Sequence, residues 1–343
     1  MLEAKENFFK KPENRKSFFI RLISSVVMVG LLVIYIALGR YHSYHMNTSL
    51  GETAGYVNLV ITLILFVICA YEITKTFNVK GYLQVMLIFF LTVLAYFPLN
   101  FDTSLDYPFF EKMSSTWLVK WGNHNISLFY TLVWVLIFLV NLFIGFKVVK
   151  HFNKAQDGTR YFGLYLFYAM VIVFGFKTLF SLLLSSANVY NGTLTLVWIW
   201  IMIISADTFA YLGGILFGKH KLTSISPKKT VEGAIIGFSF SFIIGVAIAI
   251  SLFYGTSDWH MFGDMLKNAS KTSICILLVL FCLITPIISM FGDIAFSYVK
   301  RVVDIKDFSN VIPGHGGALD RLDSLIFTLF IFYWIMLFGN PGI

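Results

Sequence analysis

The sequence predicts an all-α polytopic membrane protein of about nine transmembrane helices, with a polar site at the cytoplasmic face of the C-terminal helices. Three observations predict it. Of 343 residues, 58% are hydrophobic and only 13% charged, whereas soluble domains carry about 25% charged residues. Apolar runs of spanning length recur along the chain, and a span needs roughly 20 mostly apolar residues. Basic residues alternate in density from one connecting segment to the next. Together these exclude a soluble globular enzyme, a disordered chain and a disulfide-rich secreted module.

In chain order the expected spans are 18–39, 56–73, 82–99, 126–149, 161–186, 193–217, 233–254, 273–291 and 322–339. The first is longer than a signal-peptide core and lacks a small-residue cleavage site, so it reads as an anchor that stays. The second is short, and the third ends at Pro98. The long connection at 100–125 carries Asp102, Asp106, Glu111, Trp117 and Trp121. Its tryptophans suit an interfacial belt, and no chemistry is assigned to it. No internal repeat or low-complexity tract is visible.

Orientation follows from the cations. With the N-terminus in the cytoplasm, cytoplasmic segments hold 20 of the 26 Lys and Arg, in groups of six, two, four, four and four; five face the other side and Lys177 lies within a span. That is the positive-inside pattern, and it supports an odd number of spans, because dropping one would mix the two sets. The C-terminus is therefore expected on the outer side. The net charge of +8 is read as a topology signal and not as a nucleic-acid surface, because no basic stretch is interleaved with exposed aromatics. Cys69, Cys275 and Cys282 all lie in apolar runs without CxxC spacing, so neither a metal cluster nor a disulfide framework is expected.

The chain divides near residue 200. Residues 1–200 read as a scaffold of about five spans, and 201–343 as the region that carries the chemistry. The first polar cluster is Ser205, Asp207, Thr208 and Tyr211. An intramembrane carboxylate costs a few kcal/mol, so a functional role outweighs simple pairing for helix packing. The second is Lys219-His220-Lys221 followed by Ser226-Pro227-Lys228-Lys229-Thr230 and Glu232-Gly233. Ser226 then Pro227 predicts an N-cap and first helical turn. Free amides beside two lysines and two hydroxyls make a phosphate site; an ordinary capped helix start is the equal alternative.

The third cluster is the densest: Gly292-Asp293, Ser297, Lys300-Arg301, Asp304, Lys306-Asp307, Pro313-Gly314-His315-Gly316-Gly317, Asp320-Arg321 and Asp323. A helix over 293–305 puts Asp293, Ser297, Lys300 and Asp304 on one stripe. The glycine-rich segment predicts a tight loop that lets backbone approach a ligand. Asp320 and Asp323 share a face of the last span. Each part has a bland alternative, such as acids complementing a helix dipole at about 0.3–1 kcal/mol each. Carboxylates, cations and a glycine loop at one membrane face nevertheless suit Mg²⁺ with polyphosphate, because Mg²⁺ takes one or two carboxylates and fills its shell with phosphates and water.

The stretch Ser297-x-x-Lys300-Arg301-x4-Lys306-Asp307-x5-Pro313-x-His315-Gly316-Gly317-x-x-Asp320-Arg321-x-Asp323 resembles the signature of the phosphatidate cytidylyltransferases, or CDP-diacylglycerol synthases. Asp207-x-x-Ala210-Tyr211 and Ser226-Pro227-Lys228-Lys229-Thr230-x-Glu232-Gly233 are similar to that family in the expected order. The likeness covers about 205–325; the first 200 residues match only as apolar helices. One departure is Ala318, where the family usually has a larger aliphatic residue; it removes no reactive group.

The resemblance implies a nucleotidyltransferase: CTP plus phosphatidate gives CDP-diacylglycerol plus pyrophosphate. It implies Asp293 and Asp320 as metal ligands, with Asp323 a third candidate. Lys228, Lys229, Lys300, Arg301 and Arg321 would hold phosphates, while Ser226, Thr230, Ser297 and His315 would hydrogen-bond phosphate or nucleotide. Lys306, Asp307, Gly316 and Gly317 belong to the same substrate-binding set, and Asp207 lines its cavity. It also implies Mg²⁺, with two metal ions as the alternative, and a homodimer in the bacterial cytoplasmic (inner) membrane. Two other readings compete. A CTP-dependent polyprenol kinase would differ between Lys306 and Gly317. A transporter using Asp207 and Lys177 would place its charges near the midplane with two repeats, and neither feature is present.

Overall fold

The computed structural model describes residues 12–96, 126–152, 158–184, 192–255 and 270–339. Among them the regular structure is helical: α1 Pro12–His45, α2 Ser49–Thr76, α3 Tyr82–Tyr96, α4 Ile126–Phe152, α5 Gly158–Leu184, α6 Gly192–Phe217, α7 Val231–Gly255, α8 Lys271–Val302 and α9 Leu319–Gly339. Seven of these helices are long and apolar enough to cross a membrane, which makes the chain an integral membrane protein. α3 is shorter, at 15 residues, and the rest of its expected span (97–99) lies outside the described residues, as does the connection at 100–125. α9 runs 21 residues but opens with Asp320, Arg321 and Asp323, which dilutes its apolar run at one end.

α5 is the hub of the bundle. Its residues from Val171 to Leu184 are buried without a break, and it packs against α1, α2, α3, α4, α6 and α9. Apart from Lys177, Thr178 and Ser181 that stretch is apolar on every side, as suits a helix in such a position. Phe174 wedges between Trp134 of α4 and Tyr333 and Trp334 of α9, with ring centroids 4.9–5.8 Å apart. The outer helices turn side chains such as Val26, Leu31, Phe89 and Ile243 outward, as a hydrocarbon solvent permits.

α6 and α7 approach most closely. The buried residues of α7 are Gly233, Gly237, Ser241, Gly245 and Ala249, one small residue every fourth position. A Cβ on Gly237 would stand 2.4 Å from the Ala206 carbonyl, and one on Gly233 2.5 Å from that of Ala210. This is the small-residue packing that membrane helices use to bring backbones together. Two bonds fix the register: Ser241 Oγ donates to Met202 O (2.7 Å), and Trp198 Nε1 donates to Gly245 O (2.8 Å). The close contact sets Asp207 of α6 opposite the segment that leads into α7.

Candidate active site at one end of the bundle

The C-terminal ends of α6 and α8 and the N-terminal ends of α7 and α9 meet at one end of the bundle. A cavity of about 420 Å³ opens there. Its polar wall comes from three elements: Asp207 and Tyr211 of α6, Ser226, Lys228, Lys229 and Thr230 of the connection, and Asp293 of α8. The rest of its lining is largely apolar and includes Phe238, Pro286, Ile287 and Met290. The structure therefore joins the first two polar clusters with the head of the third. Lys229 Nζ pairs with Asp293 Oδ2 across the opening.

The connection from α6 to α7 is a short hairpin. Leu222 N donates to Lys229 O (2.9 Å) and Val231 N to His220 O (3.0 Å). Glu232 closes its base by accepting from Lys219 N, His220 N and His220 Nδ1. The cap differs from the expected one: Thr230 Oγ1, not Ser226, accepts from Gly233 N (3.1 Å) and starts α7. Ser226 and Pro227 instead form a preceding turn, where Lys229 N donates to Ser226 O. The turn holds Lys228 and Lys229 on the cavity wall.

α8 supplies the second half. Asp293, Ser297 and Lys300 do share a face, and Ser297 Oγ donates to Asp293 Oδ1 (3.3 Å). Asp304 leaves that stripe. The helix ends at Val302, and Asp304 takes φ 57 while Ile305 N reaches back to Lys300 O, a left-handed helix terminus. Arg301, Lys306 and Asp307 lie exposed around the turn.

The glycine-rich segment is the tight loop its composition predicts. Gly314 and Gly316 have φ of 76 and 89, conformations that suit glycine. Ile312 N donates to Gly316 O (2.8 Å) to close the loop. Asp320 anchors it from α9: Oδ2 accepts from Phe308 N (2.9 Å) and Gly317 N (3.0 Å), while Oδ1 takes Lys300 Nζ (2.6 Å). Arg321 donates through Nε and Nη2 to His315 O, so it too grips the loop.

Asp323 lies where its charge meets those of Asp293, Lys300 and Asp207, and Asp207 also senses Lys229. Three carboxylates and two lysines thus form one electrostatic unit, of which Asp207, Lys229 and Asp293 line the cavity. Among the described residues no three His, Cys, Asp or Glu side chains are set to hold a metal ion by themselves. An oxygen-only donor set that leaves positions for phosphate fits Mg²⁺, which rarely has an all-protein cage.

Two contributions come from the N-terminal helices and were missed by sequence reasoning. His315 is clasped by α1, with Ser24 Oγ 2.8 Å from Nδ1 and Ser25 Oγ 3.1 Å from Nε2. Glu72 of α2, fully buried, accepts from Ser309 Oγ (2.5 Å), Ala318 N (2.9 Å) and Leu319 N (2.7 Å). The hydroxyls carry no sequence signal. Glu72 did: it is an acid inside the expected span 56–73, the feature that singled out Asp207.

Known proteins resemble part of this chain. A phosphatidate cytidylyltransferase of Helicobacter pylori is 34% identical over 136 residues, 40% of this chain and 44% of the relative. One of Synechocystis sp. is 36% identical over 151 residues, 44% of this chain and 46% of the relative. One of Rickettsia typhi is 34% identical over 159 residues, 46% of this chain and 65% of the relative. The matched stretch thus spans less than two thirds of each of these relatives. Similarity to the cytidylyltransferase family as a whole runs much further, from residue 18 to residue 338, and takes in the helices that carry Ser24 and Glu72 as well as the cavity. The chain therefore belongs to the cytidylyltransferase family.

Proposed function

We propose that the chain is a phosphatidate cytidylyltransferase, making CDP-diacylglycerol and pyrophosphate from CTP and phosphatidate. The observation that carries this reading is a cavity lined by both charged and apolar side chains. Lys228, Lys229, Asp207 and Asp293 line it together with the apolar Phe238, Pro286, Ile287 and Met290. An anionic head group on an apolar tail fits such a lining, and the relatives' names supply the nucleotide.

The chemistry asks little of a base. A phosphatidate oxygen, already anionic near neutral pH, attacks the α-phosphorus of CTP; the bond to the β-phosphate oxygen breaks and pyrophosphate leaves. Charge is the obstacle, so catalysis is positioning and electrostatic stabilisation. Lys228 and Lys229 hold phosphates at the mouth. Ser226, Thr230 and Ser297 donate hydrogen bonds to them, and Arg301 and Lys306 extend the cationic rim. Lys300, steadied by Asp320, faces the same charges from the loop side. Asp293 and Asp323 are the carboxylates that would hold Mg²⁺, which supplies neutralisation of the phosphate charge when bound. Asp320 joins them only by releasing Lys300.

The distribution of cations supports a site on the cytoplasmic side, with the N-terminus cytoplasmic and nine spans in a bacterial inner membrane. The family resemblance supports a homodimer. The deciding experiment is release of pyrophosphate from CTP by detergent-purified protein given phosphatidate and Mg²⁺. Turnover that requires phosphatidate is the expected result. Turnover with an alcohol acceptor alone, or none from folded protein, would overturn the reading.

A further inference from the structure

We propose that Glu72 is a positioning residue for the catalytic loop: from the N-terminal half of the chain it fixes the segment 309–319, and through it Asp320 and Lys300. The proposal rests on the nucleotidyl-transfer reading above.

Glu72 sits near the C-terminal end of α2, fully buried beside Cys69, Ile73 and Phe77. A carboxylate in such surroundings is costly unless its oxygens are filled. The three donors named above all come from residues 309–319, more than 230 positions away in sequence. Two of them are the amides of Ala318 and Leu319, at the start of α9. A helix leaves its first amides without internal partners, and Ala318 has no side chain able to cap them. Glu72 supplies that cap from across the bundle, where the helix dipole also favours negative charge.

The consequence reaches the reacting groups in two steps. Gly317 lies against the Glu72 carboxylate, where a Cβ would stand 2.7–2.9 Å from its atoms. The same Gly317 donates its amide to Asp320 Oδ2, and Asp320 Oδ1 holds Lys300. Glu72 therefore sets the height of the loop over α9, and the loop sets Asp320 and Lys300. Glu72 itself does not line the cavity. Its loss should disturb alignment of the reacting phosphates more than nucleotide capture by Lys228 and Lys229.

Glu72→Gln tests this, because it keeps the shape and one acceptor oxygen but turns an amide donor toward another donor. In detergent-purified protein the amides of the 309–319 segment should exchange about tenfold faster, the loss expected of a charge-assisted hydrogen bond. The melting temperature should stay close to wild type. kcat should fall about 10- to 100-fold, while KM for CTP stays near the wild-type value. Unchanged loop exchange with unchanged kcat would overturn the proposal. So would early melting with wild-type kcat per folded molecule, which makes Glu72 a packing residue only. If the glutamine variant does not fold, Ser309→Ala removes a single donor and carries the test: a smaller fall in kcat with faster loop exchange supports the role, and neither refutes it. Hydrogen exchange needs no substrate. If wild-type protein fails to turn over CTP while the loop still loosens in the variant, the reaction assignment falls and the loop-holding role stands.

Discussion

Lys300 and Asp320 join the end of α8 to the start of α9 by an ion pair of 2.6 Å, with side chains only 11% and 5% exposed. Asp320 also holds the amides of Phe308 and Gly317, so one carboxylate ties the helix end, the turn and the glycine loop together. Removing one partner of a buried pair leaves the other charge uncompensated, at a cost of about 3–5 kcal/mol. Asp320→Ala should therefore lower thermal stability markedly as well as activity. A melt in detergent checks this; a wild-type melting curve with activity abolished would instead favour Asp320 as a metal ligand.

Asp293 should behave in the opposite way. Its pair with Lys229 is partly exposed, each side chain at 26%, and pairs of that kind contribute about 0–1 kcal/mol. Asp293→Asn is expected to melt like wild type while pyrophosphate release falls about 100- to 1,000-fold, the scale of losing one preorganised electrostatic group. Chelating Mg²⁺ should abolish wild-type turnover and restore it on readdition. Substantial turnover by Asp293→Asn at saturating Mg²⁺ would remove Asp293 from the metal site.

The helices were legible because apolar runs of spanning length have few alternatives in a membrane protein, and the site was legible where motif residues are contiguous. Asp207 meets Lys228 and Lys229 because the small residues of α7 allow α6 so close. What could not be read is whatever depends on where a helix stops. Asp304 fits a helical stripe by spacing, yet the chain turns left-handed there. Ser226 has the chemistry of a cap, yet Thr230 is next to the helix and takes the role. The links from Ser24, Ser25 and Glu72 to the loop are long-range, and no local pattern encodes them.

The clasp on His315 should matter for nucleotide capture. Ser24 and Ser25 hold both ring nitrogens, which fixes the ring plane. Each hydrogen bond is worth about 0.5–1.5 kcal/mol. The double variant Ser24→Ala/Ser25→Ala is expected to raise KM for CTP roughly two- to tenfold by freeing the ring, with kcat less affected. His315→Ala should give at least as large an effect, and the serine changes should add nothing to it. Full additivity would place the serines and His315 in separate roles.

Gly237 should tolerate no side chain. An added Cβ stands 2.4 Å from the Ala206 carbonyl, and that atom belongs to helix backbone, which cannot turn aside. Gly237→Ala should cost about 1–3 kcal/mol by overpacking, and Gly237→Leu should block assembly of the α6–α7 pair. Because Asp207 lies one residue beyond Ala206, folded Gly237→Ala should also lose turnover. A melting curve and kcat both at wild-type values would mean that α6 and α7 are not packed as described.

Orientation can be tested without activity. The hairpin between α6 and α7 and the turn between α1 and α2 lie at opposite ends of helices that cross the membrane. Lys219 and Ser49 are exposed at these two ends. Cys69 and Cys282 are buried, so only Cys275 needs replacing in the background. A membrane-impermeant maleimide added to intact bacteria expressing the protein should label Ser49→Cys and spare Lys219→Cys, with both labelled after lysis. That result follows from the cation count, since the segment around Lys219 holds four basic residues and dense cations stay cytoplasmic. The reverse pattern would place the cavity on the outer side, away from the CTP pool, and would overturn both the topology and the reaction assigned to it.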